Sequence, residues 1–148
     1  YATHDSENNA CIFIKDNNVV LDMNNYGIYN RNQSVLSGIG VIRSNITIKD
    51  GTIADFLNST TNDIIGISFS CAGSVCSHNQ LTNIKLLNNT VGLNLYNVSN
   101  SKFKTAIDQP LGVSGITAEH VYNSTFSVFT SVLLVHYCVM HSFLLVRL

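Results

Sequence analysis

Charge is what this 148-residue sequence has least of. Asp, Glu, Lys and Arg together make up 11% of the chain, against roughly a quarter in ordinary soluble domains. The net charge is −1, and no stretch gathers basic residues. A nucleic-acid binder needs Lys and Arg facing phosphate, so the composition argues against that class, and it gives no reason to expect an anionic membrane surface as partner. Proline occurs once, at Pro110, and tryptophan not at all. The cysteines Cys11, Cys71, Cys76 and Cys138 form no Cys-x-x-Cys pair, and no histidine lies at zinc-finger spacing, which argues against a zinc site. There is no Gly-x-Ser-x-Gly elbow. No run of ten or more residues with helical apolar spacing precedes residue 128. The chain opens at Tyr1 without a basic stretch followed by an apolar one, which carries no information about a leader.

What is present is short apolar runs alternating with polar residues. Hydrophobic residues make up 45% of the chain, enough for a sizeable core, and Asn, Ser and Thr take the surface places that charge usually fills. Strands of three to six residues are predicted at 11–14, 19–23, 26–29, 39–43, 46–48, 52–56, 64–69, 84–87, 91–95, 102–104, 115–118 and 125–127. Asn, Asp and Gly corners separate them, as at Asn17-Asn18, Asn24-Asn25, Asp50-Gly51 and Asn88-Asn89. Such residues tolerate left-handed backbone and bond to their own chain. Residues 70–80, small and polar with two cysteines, read as an insertion.

Repeats decide between an antiparallel sandwich and a parallel solenoid. Gly66-Ile67-Ser68-Phe69, Gly92-Leu93-Asn94-Leu95 and Gly115-Ile116-Thr117-Ala118 share the form Gly-apolar-polar-apolar, 26 and then 23 positions apart, with Gly40-Val41-Ile42-Arg43 as a weaker copy 26 upstream. Asn100-Ser101-Lys102-Phe103-Lys104 and Asn123-Ser124-Thr125-Phe126-Ser127 follow two of them at equal offset. Asn45-Ile46-Thr47-Ile48 and Asn83-Ile84-Lys85-Leu86 share the form but not the offset, a difference assigned to loop lengths and to the insertion near Cys71. A period in the low twenties with about three strands fits one coil of a parallel β-helix, stacked at about 4.8 Å. The expectation is an all-β solenoid of four to five coils over 11–127, a lead-in over 1–10, and an irregular apolar tail over 128–148. Ile46, Ile48, Ile67, Phe69, Leu86, Leu93, Leu95, Phe103, Ile116 and Phe126 form the expected core. Corner asparagines are expected to stack into amide ladders between coils.

Asn17-Asn18-Val19-Val20-Leu21-Asp22-Met23-Asn24 and Ser44 to Ile53 resemble repeats of the right-handed parallel β-helix (pectin-lyase-like) superfamily, over roughly Cys11 to Ser127. The resemblance implies a right-handed coil. It leaves activity open, because the superfamily holds lyases, hydrolases, epimerases, phage tailspikes and non-enzymatic repeat proteins. Polygalacturonase-like members carry Asn-Thr-Asp, Asp-Asp, Gly-His-Gly and Arg-Ile-Lys. Here Asn62-Asp63 is the nearest match to the first, no adjacent Asp pair exists, and His78 lies between Ser77 and Asn79. Pectate lyases need calcium-binding acids and an arginine base. Arg43 is the arginine of the central coils, with no Asp cluster evident. An epimerase-type Asp-Pro-His-Asp is absent, since Pro110 follows Gln109.

Several residues still invite a functional reading. Asp50, Asp55 and Asp63 are the densest carboxylates. On one face they would suit calcium or acid–base glycosidic chemistry, and as corner and loop residues they need neither. No cofactor is expected, calcium being the one with any basis in the sequence. Arg43 and Lys49 could contact an acidic sugar or be solvated. Lys102 and Lys104 could grip a polyanion or blunt a sheet face. Tyr96 and Tyr122, near equivalent places in successive repeats, could stack on sugar rings or simply pack, and Tyr26 and Tyr29 pose the same choice. His78 and His120 have no acid at useful spacing. Cys71 and Cys76 could close a small disulfide loop if the chain is secreted, or be buried thiols. Sequons fall at Asn32, Asn45, Asn58, Asn88, Asn97 and Asn123, little above chance for so much Asn, Ser and Thr.

Val132 to Leu148 is almost wholly apolar. It reads as a final coil, a cap, a truncated or frame-shifted end, or a membrane segment, though 17 residues with two histidines fall short of the roughly 20 a span needs. The functional expectation is a non-catalytic scaffold or carbohydrate-binding module, extracellular or surface-associated, whose partner is a polysaccharide or cell-surface glycan. The alternatives are a fragment of a polysaccharide lyase or glycoside hydrolase and a structural adhesin or fibre stalk.

Overall fold

The computed structural model describes residues 10–30, 35–57, 64–108, 114–130, 135–136, 140–141 and 145–146. The short alternating runs form fifteen strands: β1 (Ala10–Ile14), β2 (Val20–Asp22), β3 (Gly27–Tyr29), β4 (Ser37–Val41), β5 (Thr47–Ala54), β6 (Ile65–Ser70), β7 (Cys76–Ser77), β8 (Gln80–Leu87), β9 (Val91–Ser99), β10 (Lys102–Asp108), β11 (Ser114–Tyr122), β12 (Thr125–Thr130), β13 (Val135–His136), β14 (Met140–His141) and β15 (Leu145–Val146). Among the described residues there is no helix, and so none long and apolar enough to cross a membrane.

Each run is too short to bury its apolar face alone, and stacking coil on coil buries it. The strands make two sheets in which every described pairing is parallel. The first runs β1-β4-β6-β9-β11-β13, with β7 also against β9 and β14 also against β11. The second runs β2-β5-β8-β10-β12-β15, with β3 also against β5. One strand of each sheet makes a coil, and about four turns follow one another. Ile12, Ile39, Ile67, Leu93 and Ile116 stack in one column, at spacings of 27, 28, 26 and 23 residues. The parallel β-solenoid expected from the repeats is therefore the fold. All ten expected core residues are buried, none more than 1% exposed. Phe69 meets Phe103 edge-on at 5.5 Å between ring centroids, and Phe103 meets Phe126 at 5.2 Å. These rings join the two sheets across successive coils.

Three details of the repeat differ from expectation. The copy upstream of Gly66 starts at Gly38, since Ile39 pairs with Ile67 and Gly40 with Ser68. Glycine is needed there by backbone approach: a Cβ on Gly38 would lie 2.7 Å from the Gly66 carbonyl oxygen of the next coil, as one on Gly66 would from that of Gly92. Three strands per coil become two sheets, because β5 runs unbroken through Asp50, which turns the chain by a φ of 57° without ending the ladder. Finally, Asn83-Ile84-Lys85-Leu86 aligns with Asp50-Gly51-Thr52-Ile53, whereas Asn45 sits at the level of His78, by the pairings Gly51 to Ile84 and Thr47 to Gln80. The two phrases mark different corners of the coil, so their unequal offset is not a matter of loop length.

The described parts of the tail continue the stack. Val135 and His136 pair with Ile116 and Thr117, Met140 and His141 with Val121 and Tyr122, and Leu145 and Val146 with Phe126 and Ser127.

Candidate functional site

The site is built from corners. Among the described residues, thirteen other than glycine have positive φ, nine of them asparagine, with Asp50, Asp55, His78 and His120 as the others. Asparagine's short amide makes this backbone region tolerable for an L-residue. By register these residues form columns along the stack. Asn18, Asn45, His78, Asn100 and Asn123 make one, Asn25, Asp50 and Asn83 a second, Asp55 and Asn88 a third, and Asn97 and His120 a fourth. Rungs are hydrogen-bonded: Asn45 Nδ2 donates to Asn18 Oδ1 (2.5 Å), Asn83 Nδ2 to Asp50 Oδ1 (2.8 Å), Asn88 Nδ2 to Asp55 Oδ1 (2.9 Å) and Asn123 Nδ2 to Asn100 Oδ1 (2.5 Å). The expected amide ladders are therefore present, with Asp and His standing in some rungs.

A second, buried ladder lies one residue further on. The Ile46 N–H donates to Asn79 Oδ1 (2.9 Å), the Asn79 N–H to Ser101 Oγ (3.0 Å), and the Ser101 N–H to Ser124 Oγ (3.2 Å). Asn89 plays the same part for the Phe56 N–H. Sequence reasoning missed these inward polar residues. The signal was present, since each directly follows a corner residue. Among the described residues, Asn79 Nδ2 is the buried side-chain polar atom with no hydrogen-bond partner.

The expected site residues divide into two groups. The carboxylates hold the coils together. Asp50 and Asp55 lie on separate corners, each accepting from the asparagine one coil on, and Asp63 lies outside the described residues. Lys49 Nζ meets Asp22 at 2.7 Å and Asp50 at 3.7 Å. The hydrogen bond from Lys49, then that from the Asn24 N–H, hold the Asp22 carboxyl below its ordinary value, and the bond to Asp22 raises Lys49. Arg43 is exposed and donates to the adjacent Ile42 carbonyl. Among the described residues, no three of His, Cys, Asp and Glu are gathered to hold a metal ion.

The tyrosines do converge, though not through equivalent places. Tyr96 pairs with Glu119, and Tyr122 pairs with Ser99. Instead, both meet His120. The Tyr96 and His120 rings are 5.8 Å apart and nearly perpendicular, and the Tyr122 hydroxyl lies 3.4 Å from His120 Nδ1. His120 also has the acid that spacing seemed to deny it, with Glu119 Oε1 3.4 Å from its Nε2. Neighbours on a strand normally face opposite sides. The left-handed turn at His120, φ 54°, breaks that alternation and lets Glu119 and His120 meet.

Cys71 and Cys76 are joined by a disulfide. Cys71 sits at the level of Asn97 and Cys76 pairs with Val98, so the bridge closes an inserted loop of 72–75 at the Asn97–His120 corner. The insertion is smaller than the 70–80 read from composition. Asn97 Nδ2 donates to the Cys71 carbonyl (3.2 Å). Cys11 is a free thiol on β1, pushed up by partial burial, and Cys138 lies outside the described residues.

Comparison with family models, with curated proteins and with solved structures found no match for this chain.

Proposed function

We propose that this chain is a non-catalytic solenoid scaffold that presents an outer sheet face to carbohydrate outside the cell, and that it belongs with the right-handed, pectin-lyase-like β-helices. The observation that carries the reading is where the ionisable groups are spent. Asp22, Asp50 and Asp55 bond to Lys49, Asn83 and Asn88 of neighbouring coils, so these carboxylates are committed to the stack and do not face one another across a cleft, as glycosidic acid–base pairs do. The aromatic side chains Tyr96 and Tyr122 gather on the outside around His120. The Cys71–Cys76 disulfide supports an oxidising compartment. The repeat phrases and the parallel stack support the superfamily assignment, and the right-handed sense of parallel crossovers supports the hand.

The test is a glycan array run beside degradation assays on polygalacturonate and alginate. Retention of at least one glycan without release of shortened or unsaturated products is expected. Turnover of either polymer would replace the scaffold reading with a lyase or hydrolase.

A further inference from the structure

The outward residues of β6, β9 and β11 form a compact patch. Ser68, Asn94 and Thr117 are register partners across the three strands, Ser68 itself being buried, and beside them, two residues on, lie Ser70, Tyr96 and Glu119. Neighbouring sites are thus about 4.8 Å apart across coils and roughly 6.7 Å apart along a strand. The first row is already a hydrogen-bonded ladder, with Asn94 Nδ2 donating to Ser68 Oγ (3.1 Å) and Thr117 Oγ1 donating to Asn94 Oδ1 (2.7 Å). The second row carries a half-buried aromatic ring and an exposed carboxylate. His120 braces the ring edge-on from the corner. None of the three strands contains a lysine or arginine. The basic residues Lys49, Lys85, Lys102 and Lys104 are carried by β5, β8 and β10 of the other sheet.

We propose that this patch, built on Tyr96, Asn94, Thr117 and Glu119, is the carbohydrate-binding site and that its ligand is an uncharged, hydroxyl-rich polysaccharide. The proposal rests on the scaffold reading above and adds the face and the class of ligand. A sugar ring has an apolar C–H face, which an aromatic ring can cover, and a rim of hydroxyls. Glu119, Asn94 and Thr117 supply acceptors and donors within one ring's reach of Tyr96. The patch's carboxylate, Glu119, has the His120 imidazole beside it and no lysine or arginine on the three strands, so a polyuronate or sulfated chain would bring its anions to a carboxylate.

The experiment is affinity electrophoresis of the full chain through gels containing a neutral β-glucan, a mannan or polygalacturonate. Retardation by a neutral polysaccharide is expected, and it should persist at high salt, because no ion pair with the ligand is involved. Tyr96→Ala should weaken that retardation about tenfold, the scale of losing one aromatic contact. Tyr96→Phe should retain it, which separates loss of the ring from loss of the fold. Lys102→Ala on the opposite sheet should leave it unchanged, and Glu119→Lys should confer retardation by polygalacturonate. Retardation by polygalacturonate alone, abolished by salt, would overturn the neutral-ligand site while leaving a glycan-binding scaffold standing. Neutral binding indifferent to Tyr96→Ala in a folded variant would overturn the placement. No retardation in any gel would sink both readings.

Discussion

A left-handed asparagine does two jobs that are hard to combine. It turns the backbone where a Cβ is normally penalised, and its amide bonds to a neighbouring coil. Asn100 shows both, with φ 48° and Oδ1 accepting from Asn123. Asn100→Ala keeps the strain and loses the bond, so it should cost about 1–2 kcal/mol in urea unfolding. Asn100→Gly relieves the strain and should cost less. The buried counterpart is Asn79. Asn79→Leu leaves the Ile46 N–H without its acceptor and should cost roughly 1–3 kcal/mol. Asn79→Ser, the residue that Ser101 and Ser124 provide at that place in the next coils, should cost less. The Asp22–Lys49 pair sets a pH window. Asp22 is lowered in the fold, so its contribution is present above the ordinary carboxylate range, near 4, and is lost as pH falls through the lower folded value. Lys49 is raised, so its contribution is present below the ordinary lysine value of about 10.4 and is lost as pH rises through the higher folded one. Asp22→Asn should flatten both arms of a stability–pH profile. Both side chains are exposed to water, and salt should shrink the difference.

At the level of strands and corners, the apolar positions were the most legible part of the sequence. Alternation of period two places Ile46 and Ile48, or Leu93 and Leu95, on one face regardless of what lies across from them. What alternation cannot give is which phrase stacks on which. Gly40 looked like the partner of Gly66 by spacing, yet Ile39 pairs with Ile67; a shift of two residues keeps the same face inward, so alternation alone does not choose between the two registers. The same limit hid the site. Glu119 and His120 are adjacent, and only the left-handed turn at His120 brings them to one side, a backbone state that spacing arguments assign to asparagine and glycine. Between β8 and β10 the register shifts at Phe103/Thr105, where the Asp50–Asn83 corner drops out of the coil. Phe103 sits at that irregularity and contacts rings of both sheets, so Phe103→Ala should cost about 3–5 kcal/mol by chemical unfolding. The Cys71–Cys76 loop is short. Replacing both cysteines by serine should cost about 2 kcal/mol on loop-closure grounds, read as a lowered midpoint under non-reducing conditions that reductant reproduces in the wild type.

Across the whole molecule, contacts run almost entirely between one coil and the next. β9 touches β6, β7 and β11 within its sheet, and β8 touches β5 and β10. Stability is then close to a sum of coil terms and coil–coil interfaces, and a substitution in one coil should weaken its neighbours before distant ones. The charge partition belongs to this scale too. The carboxylate on the β6–β9–β11 face and the lysines on the β5–β8–β10 face are far apart in character although interleaved in sequence, since each coil contributes one strand to each face. Composition reports a net charge of −1 and averages that difference away.

The parallel ladders also have a mechanical meaning. Their backbone hydrogen bonds run along the stacking axis, so tension between the two ends of the chain loads the interfaces one after another. Each coil of 23 to 28 residues that peels away would release about 80 to 95 Å of contour at roughly 3.4 Å per residue, less in the coil whose Cys71–Cys76 bridge withholds its loop. A force–extension trace would carry a sawtooth whose tooth spacing reads out the lengths of successive coils.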